Sequence, residues 1–330
     1  MSPGGAKHLL IHFGQLGDAV MALPAALALR QAHPEAALTV LASRGGDAIF
    51  RLAGFDPVWA ADRAAWKRSP IRAAGGIPLL LARLRHARFD LSVDLHSFKE
   101  TNLLAWAAGI PQRVAMLRPT RSWPRFITHP PPPDDPDARL LDRYCRVLEP
   151  LGINVTDRVP RLTPPPEAAA CAADLLAPSA AAPILGICPG AGHPGRRWPA
   201  ANFAALAHEF QQQVPARIAV FLGPEENEAA LRPLLALSGV EPLRGLSIPQ
   251  LAAALALCRV VVANPTGPSH IAAAVAARVV TLGEIPAFDP VPVPPGAVFP
   301  VRARREVADI EVPAALAAVL QLWNLFHFSV

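Results

Sequence analysis

Seven short, mainly apolar segments punctuate the chain, at 8–13, 38–41, 91–94, 184–188, 218–222, 260–263 and 279–282. Only 91–94, Leu-Ser-Val-Asp, alternates apolar with polar as a strand wetted on one face would. Mainly apolar segments of this length are what a parallel strand requires when helices cover both of its faces. Between them lie stretches rich in Ala and Leu, which predict helices. The pattern therefore predicts an α/β protein built from parallel βαβ units. Two segments read as openings of such a unit. The run at 8–13 leads through Gly14-Gln15-Leu16-Gly17-Asp18 into a helix predicted from about Ala19. The run at 184–188 leads into Pro189-Gly190-Ala191-Gly192. Each resembles the first strand and turn of a doubly wound, Rossmann-like domain, in which ligands collect at the carboxyl ends of the strands.

The expected division is an N-terminal domain over 1–163 and a C-terminal domain over 167–312, joined at the stiff Thr163-Pro164-Pro165-Pro166. Residues 313–330 are predicted as a helix packing back across both domains. Pro130 to Pro133, followed by three aspartates within Asp134–Asp137, is predicted as a surface excursion. A chain of 330 residues, 52% hydrophobic and 17% charged, has material for two cores. It lacks an apolar run near the ~20 residues that span a bilayer, and its first residues lack the apolar region of a secretory signal. Cys145, Cys171, Cys188 and Cys258 lie far apart without metal-ligand spacing, so they read as core thiols of a cytoplasmic protein with no metal and no cofactor.

The net charge of +5 is concentrated. Arg63, Lys67, Arg68, Arg72, Arg83, Arg85 and Arg88 face a single acid, Asp62, between Trp59 and Arg88. Two readings stand, a solvated helix face or a patch for anionic lipid head groups or a phosphorylated acceptor. No nucleic-acid motif accompanies the charge, so no nucleic-acid partner is expected.

Candidate chemistry sits in the turns. The run at 260–263 ends in Asn264-Pro265-Thr266-Gly267-Pro268-Ser269-His270, with a helix predicted to open at Pro268. Backbone N–H groups aimed from such a turn suit a phosphate, and a ligand-free capped turn is the alternative. Asp18 reads either as a helix N-cap or as a general base at the strand edge. In His193-Pro194-Gly195-Arg196-Arg197-Trp198, one arginine is expected to reach a diphosphate and Trp198 to anchor the next helix. Glu225 or Glu226 is a candidate for a ribose, against the simpler role of helix-dipole partner. His270 reads as a packed residue or as a phosphate contact.

Several of these segments together resemble glycosyltransferase family 9, the bacterial heptosyltransferases of lipopolysaccharide core assembly. Leu16-Gly17-Asp18-Ala19-Val20-Met21-Ala22-Leu23-Pro24 is similar to the family's G-D-x-x-x-x-L-P opening. Phe89-Asp90-Leu91-Ser92-Val93-Asp94-Leu95-His96 is similar to its Y-D-x-x-x-D strand. Pro189-Gly190-Ala191, Arg196-Arg197-Trp198-Pro199, Leu243-Arg244-Gly245-Leu246-Ser247 and Thr266-Gly267-Pro268-Ser269-His270 continue the likeness in order, over residues 8 to about 285. The resemblance implies a GT-B fold, two Rossmann-like domains facing across a cleft, and inverting transfer from a nucleoside diphosphate sugar. ADP-heptose is the favoured donor and a lipopolysaccharide core or related anionic lipid-linked glycan the acceptor, reached at the cytoplasmic face of the inner membrane by a peripheral enzyme. The nucleotide sugar is substrate, with no further cofactor and no metal.

Carried over residue by residue, Asp18 is the implied base and Arg196 the implied phosphate contact. Gly190, Ala191, Glu225, Thr266, Gly267, Pro268, Ser269 and His270 fall on the donor side. Gly17, Asp94, His96 and Lys99, with Lys67, Arg68 and Arg72, fall on the acceptor side. Three departures stand out: Pro265 replaces the family's aspartate in N-D-T, Glu284 follows Gly283 where the family has proline, and Arg196 replaces a commoner lysine. They leave open a second reading, a catalytically weakened member that binds a nucleotide sugar or glycan as a partner or regulator. A nicotinamide oxidoreductase is disfavoured, because no G-x-G-x-x-G follows the first strand.

Overall fold

The computed structural model describes residues 5–129, 134–176, 182–224, 226–283, 298–301 and 306–325. The expectations for Pro130–Pro133, Glu225 and Glu284 fall outside these residues. The chain divides into two compact units, Met1–Pro160 and Arg161–Val330.

The first unit is a parallel sheet of β1 (Lys7–His12), β2 (Ala37–Ser43), β3 (Val58–Ala61), β4 (Leu91–Asp94) and β5 (Gln112–Ala115), in the order β3-β2-β1-β4-β5. Its helices are α1 (Leu16–Ala32), α2 (Gly46–Leu52), α3 (Arg63–Arg68), α4 (Pro70–Ala87), α5 (Lys99–Ala107) and α6 (Leu140–Arg146). Leu9, Ile11, Leu41, Leu84, Phe89 and Ile110 form one of its cores. Fully burying a side chain of this size contributes about 1.5–3 kcal/mol.

The second unit repeats the plan with β6 (Ile184–Cys188), β7 (Arg217–Leu222), β8 (Val240–Arg244), β9 (Val260–Ala263), β10 (Val279–Leu282) and β11 (Val298–Val301), in the order β11-β10-β9-β6-β7-β8. Its helices are α7 (Pro166–Leu175), α8 (Ala200–Gln213), α9 (Glu228–Leu235), α10 (Ile248–Ala256), α11 (Gly267–Ala274) and α12 (Val312–Asn324). The C-terminal α12 buries Leu316, Val319, Leu322 and Trp323 in the core formed by Ile187, Phe203, Phe210 and Val262. Arg259 fixes its end by donating from Nη2 to the Trp323 carbonyl at 2.7 Å.

In each sheet the chain reverses direction of growth next to its first strand, between β1 and β4 and between β6 and β9. Such a switch point opens a crevice at the strands' carboxyl ends. The register keeps those ends level, with Ile11 opposite Asp94 and Cys188 opposite Ala263. The turns that leave these four strands carry most of the residues singled out from sequence.

Candidate active site

In the first unit, β1 ends at His12 and the chain turns through Phe13 and Gly14 into α1. The helix opens at Leu16, three residues earlier than the sequence predicts, with Gln15 at its N-cap. Asp18 is thus not the cap but the third helical residue, and its Oδ2 accepts the Gln15 backbone N–H at 3.0 Å. The helix dipole favours a carboxylate at that place. Gly17 is buried within the same turn.

His96, from the turn after β4, sets Nε2 at 4.0 Å from Asp18 Oδ2, which is beyond hydrogen-bond length. Its Nδ1 lies 3.1 Å from the Tyr144 hydroxyl on α6. The His12 ring packs edge-on to His96 with centroids 5.1 Å apart and to Tyr144 at 5.6 Å. Gly14 is where these side chains converge: a Cβ there would lie 2.6 Å from His96 Cε1 and 2.7 Å from both Asp18 Cβ and His12 Cε1. Burial, helped by the nearby Arg118 guanidinium, lowers the pKa of His12 to about 3. Burial, then His12 and Arg118, bring that of His96 to about 2. Both rings are neutral at pH 7. Burial also keeps the Tyr144 hydroxyl protonated. It donates to His96 Nδ1 when Nε2 carries its hydrogen toward Asp18.

Asp94 has a different task. Its buried carboxylate accepts from the backbone N–H of His96 at 3.1 Å and of Ser97 at 2.7 Å, from the Thr101 hydroxyl and from Asn102 Nδ2 at 3.2 Å. Burial lifts its pKa to about 6 although those donors favour the anion. The carboxylate is committed to the turn that presents His96.

The neutral imidazoles make a prediction about acid stability. An unfolded chain protonates His12 and His96 near pH 6.5, whereas the folded chain resists until about pH 3 and about 2. Unfolding therefore takes up protons, and stability falls as the pH drops below 6.5. Each ring contributes a slope of about 1.4 kcal/mol per pH unit. In urea titrations between about pH 6.5 and 5, His12→Leu is expected to remove one ring's share of that slope. An unchanged slope would show that His12 is protonated in the folded state.

Beside this cluster a pocket of about 460 Å³ is lined by Arg63, Lys67, Phe98, Lys99, Glu100, Thr120 and Arg121. Arg63 stacks over Phe98, 3.9 Å from the ring centre, and pairs with Glu100. Four cations against one carboxylate leave an excess of three positive charges. Lys67 and Lys99 were both expected from sequence and are brought together here. Arg68 and Arg72 do not line the pocket and are exposed.

In the second unit, the turn after β6 is tied to the end of β9. Buried Asn264 donates from Nδ2 to the Pro189 carbonyl at 2.7 Å and accepts the Trp198 backbone N–H at 3.0 Å. Trp198 is 1% exposed, and its indole N–H donates to the Ile310 carbonyl at 2.8 Å. It is the anchor expected from sequence. Arg196 ends a 3-10 turn, Pro194–Arg196, and is half-buried. Arg197 is exposed and donates to the Ala191 carbonyl at 2.9 Å.

α11 opens at Gly267, not Pro268, with Thr266 at the N-cap. The Ser269 hydroxyl accepts the Thr266 N–H at 3.2 Å and donates to the Thr266 carbonyl at 2.7 Å. Ser269 thereby shapes the turn. The first-turn N–H groups of Gly267 and Ser269 have no acceptor within the helix, and Pro268 has none to satisfy. Thr266 Oγ1 is buried without a hydrogen-bond partner. His270 is 2% exposed, and burial lowers its pKa to about 4, so any ligand meets a neutral ring.

Glu226, following β7, presses its carboxylate over Gly190 and Gly223. A Cβ on Gly190 would fall 1.8 Å from Glu226 Oε1. Its Oε2 is buried and has no hydrogen-bond partner. Of the pair considered from sequence, Glu226 lies at the carboxyl edge and Glu225 falls outside the described residues. His12, Gly14, Tyr144, Arg118 and the pocket residue Arg121 were not singled out for chemistry from sequence, and Arg63 entered only as part of the basic stretch. One signal was there: Tyr144 is the chain's single tyrosine.

Among the described residues no group of His, Cys, Asp and Glu has the arrangement of a metal site. No described helix is long and apolar enough to cross a membrane. Cys145, Cys188 and Cys258 are buried free thiols, and burial raises the pKa of each.

Comparison with known proteins bears on the fold and the family. The sequence profile of glycosyltransferase family 9 (heptosyltransferase) matches residues 79–284. No curated protein matches the chain by sequence. A family 9 glycosyl transferase from Veillonella parvula DSM 2008 superposes with a TM-score of 0.81 at 20% identity, covering 98% of each chain. The E. coli ADP-heptose lps heptosyltransferase II superposes at 0.80 with 21% identity, covering 96% of this chain and 98% of its own. E. coli heptosyltransferase WaaC, solved with ADP-2-deoxy-2-fluoro heptose, gives 0.74 at 20% identity over 96% and 99%. These likenesses establish a GT-B type α/β fold, and with the profile match they show that the chain is a glycosyltransferase belonging to family 9.

Proposed function

We propose that this glycosyltransferase inverts the anomeric carbon of a nucleoside diphosphate sugar, with ADP-heptose the favoured donor. The acceptor is an anionic lipid-linked glycan of the lipopolysaccharide core kind, met at the cytoplasmic face of the inner membrane. The observation that carries the reading is that each unit holds a switch-point site and that the two sites differ in chemistry. One holds a carboxylate, Asp18, beside a cationic pocket. The other holds an anion cradle at the head of α11 with a carboxylate, Glu226, alongside.

Asp18 takes the proton of the acceptor hydroxyl as that oxygen bonds to the sugar's anomeric carbon. The bond from that carbon to the diphosphate breaks, and its electron pair leaves with the phosphate oxygen. Arg196 and the N–H groups of Gly267 and Ser269 stabilise the growing negative charge, the role that a metal fills in other transferases. Gly190, lacking a side chain, admits the Glu226 carboxylate to the turn that carries Ala191. Glu226 Oε2, short of a partner, suits the hydroxyls of a ribose. Lys67 and Lys99, with Arg63 and Arg121, suit the acid groups of the acceptor.

A thermal-shift panel of ADP-, GDP-, UDP- and dTDP-sugars, followed by product analysis with core glycan acceptor, tests the reading. At a hundredfold excess over Kd the right donor stabilises the protein by about 2.7 kcal/mol. Glu226→Gln is expected to weaken that shift for every nucleotide bound through its ribose. No shift with any ADP-sugar would overturn the donor assignment. A shift without product across the panel would favour the binding-only reading that Pro265 motivates.

A further inference from the structure

A surface helix ordinarily turns its apolar side inward and its charges outward. α4 does not. Leu80 and Leu84 face the core, and Trp66 lies so close to Gly76 that a Cβ there would sit 2.4 Å from the indole nitrogen. On the opposite side, at helical spacing, stand Ile71, Ala74, Pro78, Leu79 and Ala82. Ile71 is 85% exposed, Leu79 72% and the flanking Ile77 44%. From Pro70 to Ala82 the helix carries one charged side chain, Arg72.

What surrounds this face is cationic. Arg68 on α3 and Arg72 precede and flank it, and Arg85 and Arg88 follow it, all exposed. No acidic residue occurs from Arg63 to Phe89. An exposed apolar face flanked by these cations, on a stretch of sequence without acids, fits the boundary between anionic head groups and acyl chains. A protein partner of ordinary surface would leave these cations facing mixed charge.

We propose that the outward face of α4 is a membrane-docking surface, which seats Ile71 and Leu79 among the acyl chains of an anionic bilayer while Arg68 and Arg72 hold lipid phosphates. The inference deepens the reading that the acceptor is lipid-linked, and its test needs neither donor nor acceptor, so the two fail separately.

The experiment is flotation of the full chain with phosphatidylglycerol-rich vesicles and with phosphatidylcholine vesicles, at about 0.1 M and about 0.5 M salt. Wild type is expected to bind the anionic vesicles preferentially. Ile71→Ser with Leu79→Ser is expected to lower that partition by roughly tenfold or more. It should leave the melting temperature unchanged. Arg68→Gln and Arg72→Gln should each lower partition about fivefold at the lower salt and little at the higher. Equal partition of the Ile71/Leu79 variant and wild type would overturn the proposal. So would equal binding to neutral vesicles, or a wild-type dimer in solution that the same variant dissolves, since a second copy would then be the occupant.

Discussion

Replacing Asp18 by asparagine is expected to slow glycosyl transfer by roughly 10²- to 10⁴-fold while leaving donor affinity and melting temperature near wild type. The substitution is nearly isosteric. Its carbonyl oxygen can still accept the Gln15 N–H that Asp18 Oδ2 accepts at 3.0 Å, so the start of α1 keeps its cap. What is lost is the ability to take a proton. His96, 4.0 Å away, does not replace it, because a pKa of about 2 makes it a poor base. Asp18→Ala separates the two roles, because it should match asparagine in rate and in addition cost about 1 kcal/mol of stability through the lost cap. Single-turnover rates, nucleotide Kd and melting curves for both variants provide the check. Asparagine that transfers at a near-normal rate would remove Asp18 as the base.

The division between what the sequence reveals and what it conceals follows burial. Strands β1, β2, β4, β6, β7, β9 and β10 are interior to their sheets and read as mainly apolar segments, with Leu91-Ser92-Val93-Asp94 of β4 the least so. The four not predicted, β3, β5, β8 and β11, are the outermost strands of the two sheets. An edge strand has one neighbour and tolerates polar residues and proline, as Gln112, Arg113, Pro242 and Pro300 illustrate. The early start of α1 was hidden for a related reason. Gly17, buried in the first turn, lowers helix propensity, so the local sequence does not mark that turn as helical.

The site divides in the same way. Asp18, Gly190 and Thr266 are legible because a strand, a tight turn and a helix adjoin in sequence. Tyr144 meets His96 across 48 residues, and Glu226 meets Gly190 through packing of two turns, so neither contact has a local signature. Asp94 shows the converse. Its motif position was read as acceptor-facing, whereas four protein donors occupy its carboxylate and make it a brace for the turn that carries His96.

A methyl group at Gly14 is expected to damage both stability and catalysis, more than any other single carbon added in the first unit's site. The effect is steric, since Gly14 does not adopt the left-handed backbone that would itself demand glycine. An alanine Cβ would stand 2.6–2.7 Å from His96 Cε1, Asp18 Cβ and His12 Cε1 at once. His96 is buried, and His12 is fully buried with the Phe50 and Tyr144 rings against it. Overpacking of this kind costs about 1–3 kcal/mol, or roughly 2–4 °C in Tm per kcal/mol for a unit of this size. Catalysis should suffer further, because a base displaced by about 1 Å loses on the order of 10²-fold in rate. Gly192→Ala is the matched control: a Cβ there meets nothing within 4 Å, so its stability should stay within about 0.5 kcal/mol of wild type. A Gly14→Ala protein that melts and turns over like that control would mean the His12, Asp18 and His96 side chains are free to separate, and that Asp18 is not held in place by their packing.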